Sequence, residues 1–365
     1  MDTAYARLLG TTGVLDPNHV NVVLPVNSVV LFDSPNAGKF MEDAKMATAV
    51  ALPVIHMGQF SKSAPAREMM NGFLLRVILD HIHILVSSAQ VRIFSAADES
   101  ALQNCAFAPV KLYNRSAEAK NISLQLVAIS TNYSSLLQPP AHPPSPLSWN
   151  YLCMMLTAPV EQLELALGRR GPQCAPKARA AIQVWSNSPA ARRAVLHAAQ
   201  IFYILTFGAY PSLSPVEKKL LRVESMVFTS ALVLGLYFST KGTSMSSSTT
   251  AENRNPPRPF ELLQEIDWVI INDVGFADED SDWTMALHNA EQSTSAQFAG
   301  VQARQFICRG ELSLSFDGGY QLQGVKMAAS VFQEYAYILD QLGGSREARS
   351  DFAHLARSLS DILGS

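Results

Sequence analysis

Apolar residues fall at helical spacing along most of the chain. Between 188 and 205, Ala191, Val195, Ala198, Phe202 and Leu205 recur four, three, four and three residues apart, which draws one continuous stripe along a helix. Ser188 is a good N-cap for that helix, and Pro189 suits its first position. Arg192 and Arg193 flank the stripe. His197 lies near its edge and reads as a polar residue where two helices pack.

The same period continues elsewhere. Met70, Phe73, Leu74, Val77, Ile78 and Leu85 predict a helix within 64–90 that is buried on most sides. A proline-rich run, LQPPAHPPSPLSW, reads as a linker over 138–147. A helix from about Trp149 to Leu167 is expected after it, stopped by Gly168. A short basic helix near 175–186 comes next. Ser214 and Glu217 form a capping box around Pro215. The helix it opens carries Val216, Leu220, Val223, Val227, Ala231, Leu234 and Phe238 toward the core. Residues 239–259 are Ser/Thr-rich with little to bury and read as a flexible insert. Two closing helices present Leu322, Val325, Ala329, Phe332, Ala336 and Leu339, then Ala348, Phe352, Leu355, Leu359 and Ile362, with Gly343–Gly344 as the break. No βαβ rhythm or internal repeat is visible. The expected fold is all-α: a lead segment over 1–49, with short helices or turns in its first 45 residues, and a single large helical domain over 50–363.

Composition narrows the function classes. The 365 residues are 48% hydrophobic and carry a formal net charge of −3, so a large core is available and no basic footprint for nucleic acid is present. The N-terminus lacks a basic region leading into an apolar core, so no secretory signal is expected. The most apolar run, 227–238, is too short for a bilayer span of about 20 residues, and no membrane partner is expected. The cysteines, Cys105, Cys153, Cys174 and Cys308, are too far apart for a CxxC pair and read as buried free thiols.

Catalytic, cofactor and metal signatures are missing from the sequence. No glycine-rich phosphate loop, zinc-protease motif or nucleophile elbow occurs. Asp80, His81 and His83 come closest to a metal set, but residues two apart on a helix point to nearly opposite faces. Asp278, Asp280 and Asp282 are spaced like the start of a calcium loop, yet Trp283 and Asn289 stand where Gly and Glu are required. Acids around Trp268, Phe276 and Trp283 give an alternative reading of that region as a partner-binding acidic–aromatic segment. No catalytic, cofactor-binding or metal residue is therefore assigned.

Several segments resemble the fungal-specific transcription factor domain, or middle homology region, in the form attached to fungal C2H2 zinc-finger regulators. Leu52, Pro53, His56 and Phe60 in VALPVIHMGQF match its opening. Trp185, Ala191, Arg192, Leu196, His197, Ala198, Gln200 and Ile201 match its most recognisable element. The stretches 158–172 and 231–238 and the closing FAHLARSLSDIL are similar to the family's flanking helices. The resemblance implies a helical regulatory domain without shared catalytic residues, in a nuclear transcription regulator of a fungal secondary-metabolite cluster. The zinc module that precedes this domain in the family is not visible here, so direct specific DNA binding by this chain is not expected. The implied partners are a DNA-binding or transcription-machinery protein, a second copy or relative, and a small-molecule effector. Two alternatives stay open: a helical scaffold recruited as a biosynthetic enzyme, and a dominant-negative dimerisation partner.

Overall fold

The computed structural model describes residues 21–23, 39, 54–56, 70, 72–96, 117–137, 144–207, 222–241, 256–264, 301–310, 312–316, 324–342 and 351–364. The fold is all-α, as the periodicity predicts. The helices are α1 (Gly72–Ala96), α2 (Ala117–Asn132), α3 (Pro144–Thr157), α4 (Val160–Ala166), α5 (Ala175–Trp185), α6 (Pro189–Phe207), α7 (Val223–Thr240), α8 (Pro259–Gln264), α9 (Val301–Arg309), α10 (Val325–Leu342) and α11 (Asp351–Gly364). The exception is a short antiparallel pair of strands, β1 (Asn21–Val23) and β2 (Val54–His56), with Asn21 opposite His56 and Val23 opposite Val54. β1 puts extended backbone where the sequence suggests short helices or turns.

Two helices organise the bundle. The run SALVLGLYF is apolar on every side, so α7 is stable only when surrounded. It packs on α10 most extensively, then on α6, α11, α4 and α5. Gly235 lets α10 approach closely: a Cβ there would lie 2.4 Å from the Phe332 ring. Helix α6 docks on α3, α7, α8 and α9. Ser188 caps it, its Oγ accepting the Ala191 N–H at 3.1 Å, as its position ahead of Pro189 predicts. α10 and α11 form a helical pair beside α7, while α1 and α2 cover the far side of α3. Among the described residues only α7 is long and apolar enough to cross a membrane, at 18 residues rather than the 12 of the apolar run; 78% of it is buried in the protein.

Four boundaries differ from expectation. Residues 144–147, assigned to the proline-rich linker, are the first turn of α3; prolines suit a first helical turn, whose N–H groups have no intrahelical acceptor. The helix expected over 149–167 is two helices, because Pro159 has no N–H to continue the ladder. Its second half does stop at Gly168, which takes φ +88°. α7 begins at Val223 behind Arg222, whose left-handed φ of 52° breaks the helical path; the capping box at Ser214 and Glu217 lies outside the described residues. α7 also runs on through Ser239 and Thr240, so the expected insert can begin no earlier than Lys241, and residues 242–255 of it lie outside the described residues.

The core face of α11 departs from the expected stripe in part. Leu359 is buried and Phe352 packs against the core as expected, joined by Ala353 and Ala356, whereas Leu355 is 46% and Ile362 70% exposed. In α10, Phe332, Ala336 and Leu339 face inward as predicted, joined by Met327, Val331 and Tyr335, but Val325 is 44% exposed.

Candidate functional site

The chemistry-bearing residues of α6 converge on the interior. His197 is fully buried, not at a packing edge. Its Nδ1 lies 2.9 Å from Asn150 Oδ1 on α3, and its ring meets Trp149 edge-on at 5.3 Å. The Asn150 amide is oriented by its own Nδ2, which donates to the Pro146 carbonyl at 2.9 Å. Oδ1 is then the acceptor toward His197, so Nδ1 carries a proton. Burial, then the positive charge of Arg193, holds the imidazole well below its ordinary value of 6.5. A general base must reach a proton in a bound substrate. His197 is sealed from solvent and spends its N–H on Asn150.

Arg193 is also inside, and burial lowers its guanidinium to about 10, still a cation at neutral pH. Cys153 on α3 lies in its field. Burial pushes that thiol up to about 12, with Arg193 opposing the shift, so it is no thiolate nucleophile. Cys174, by contrast, is exposed, which corrects the expectation that every cysteine is buried. Cys105 lies outside the described residues, and Cys308 falls on α9.

Arg192 has a structural job. Its Nε donates to the Ile307 carbonyl near the end of α9 at 2.8 Å, and its Nη1 donates to the Asn187 carbonyl at 2.7 Å. The Asn187 side chain accepts from Lys241 Nζ at 2.9 Å, and Lys241 also lies over the Tyr237 ring. Asn187 and Arg192 together thus tie the start of α6 to the ends of α7 and α9. Trp185, another residue of the recognisable element, is fully buried and donates to the Thr157 carbonyl at 2.9 Å. Leu196, Ala198 and Ile201 are buried, and the Ala198 carbonyl accepts from Tyr335 Oη on α10 at 2.9 Å.

The other candidates part company. Asp80 is exposed and paired with Arg76 at 2.9 Å, His81 is buried, and His83 meets Tyr151 edge-on. Among the described residues no group of three metal-binding side chains comes together. Asp278, Asp280, Asp282, Trp268, Phe276 and Trp283 lie outside the described residues, as do Leu52, Pro53 and Phe60. His56 pairs through β2.

Sequence reasoning missed Asn150, Asn187, Lys241 and Tyr335. A polar Asn inside the apolar run PLSWNYLCMML is the one usable signal, since a buried amide must find partners. It also missed an open groove between α10 and α11, lined by Gln333, Tyr337, Asp340, Arg357, Ser360 and Asp361, where Arg357 pairs with Asp340. The chain matches no family model, no curated protein and no solved structure.

Proposed function

We propose that the chain is a nuclear transcription regulator of a fungal secondary-metabolite cluster that acts through protein partners rather than by gripping DNA itself. The segment from Trp185 to Phe202 carries this reading. It resembles the signature helix of the fungal regulatory domain, and here it is the helix on which α3, α7, α8 and α9 all pack. Its chemistry-bearing side chains are spent on architecture: Trp185 and Arg192 bond backbone carbonyls and His197 bonds Asn150. That use suits a regulatory scaffold. An enzyme would need titratable groups converging on a cavity, and the imidazole and thiol at this centre are neutral and sealed.

Transcript and metabolite profiling of a deletion strain tests the proposal. Loss of a set of cluster transcripts supports it. Normal transcripts with one accumulating biosynthetic intermediate would replace it with the enzyme reading.

A further inference from the structure

We propose that α1 and α2 form a detachable layer that undocks from α3 in mild acid while the central bundle stays folded. The packing sets up the unit. Among the described elements, α1 and α2 make their substantial contacts with each other and with α3, whereas α6 and α7 are each held by several helices. The layer also carries an unusual burden of buried polar groups. His81 on α1, Ser123 and Gln125 on α2 and Ser148 on α3 are at most 5% exposed. Both ring nitrogens of His81, both amide atoms of Gln125 and the two hydroxyls have no hydrogen-bond partner. Each is a standing cost of the docked state that disappears once water reaches it.

His81 makes the balance depend on pH. It continues the apolar stripe of Leu74, Ile78 and Leu85, all buried. On its own helix the titratable or charged groups with described side chains are Arg76, Asp80 and His83; on α3 they are Tyr151 and Cys153; the described side chains of α2 include none. Burial is the one cause that moves the His81 imidazole, down to about 4 from 6.5. The undocked ring therefore takes up a proton near pH 6.5, and the docked ring does not. Docking is at full strength above that value and weakens as pH falls, by about 30-fold between pH 7.5 and 5. Undocking uncovers the apolar faces of α1 and α3 together.

Amide hydrogen exchange on the full chain across pH 5.0–7.5, corrected for intrinsic rates, reads this directly. The expected result is that 72–96 and 117–132 lose protection together in acid, by about that factor, and stay less protected than 189–207 and 223–240 at every pH. His81→Leu should remove the acid response of the layer. Gln125→Leu should raise its protection at every pH with the slope unchanged. Equal protection of 72–96 and 189–207 throughout would overturn the proposal, and so would an acid response that persists in His81→Leu. Should a variant fail to fold, the comparison of the two regions in the unaltered chain decides alone.

Discussion

Gly235 shows how much one missing atom can matter. The ring of Phe332 occupies the space where a Cβ would stand, at 2.4 Å, in the most extensive contact that α7 makes. Gly235→Ala must push that ring or the helix aside, at a cost of about 1–3 kcal/mol. Urea unfolding should report the loss, and the double variant with Phe332→Leu should recover part of it; strictly additive losses would mean the two positions do not interact. His197 supplies the second residue-scale prediction. Its folded value lies well below 6.5, so the unfolded chain binds a proton that the folded chain does not. Stability is then complete above pH 6.5 and falls below it. Unfolding midpoints that are equal at pH 7.5 and 5 would contradict that sign.

At the scale of elements, Arg192 decides between two readings of the same helix. It donates to carbonyls at the ends of α9 and of the α5–α6 turn, so Arg192→Met keeps the packing stem and orphans both acceptors. The expected loss is about 2–4 kcal/mol by thermal or urea unfolding, with Arg192→Lys recovering a fraction because an ammonium lacks the forked geometry. A fully stable Arg192→Met would show that the residue serves something other than these helix ends. The helix itself was legible because its signals agreed: Ser188, Pro189 and the stripe all point to one start and one face. The start of α3 was not, because prolines in a first turn look the same in sequence as prolines in a linker. The face of α11 was misread at Leu355 and Ile362 for a related reason. Periodicity weights large apolar residues, while a close helix pair selects small ones, so Ala353 and Ala356 are buried and Leu355 and Ile362 are exposed. Arg222 carried no signal at all, since a left-handed non-glycine residue is set by what packs around it. At the candidate site, the residues of α6 were visible in sequence but their partners Asn150 and Asn187 lie on other elements and were not.

For the whole molecule, the question is what can hold DNA. Specific readout needs an element that enters a groove and phosphate contacts that keep it there, and those contacts come largely from Lys and Arg. The formal net charge is −3, with 28 basic residues against 31 acidic ones, so the field of the chain repels rather than gathers phosphates. The one arginine pair on the central helix is unavailable: Arg192 is 7% and Arg193 1% exposed. Freeing either would mean opening the contacts of α6 with α3 and α9. The isolated chain is therefore expected to show no specific DNA affinity, in keeping with the proposal that it acts through a partner. Fluorescence anisotropy with candidate promoter fragments over a salt series measures this. Submicromolar binding near physiological salt that survives competition by unrelated DNA would overturn the expectation. Its salt slope would then count the phosphates engaged, and substitution of exposed basic residues such as Arg170 or Lys177, rather than of Arg192, would be the way to find the surface responsible.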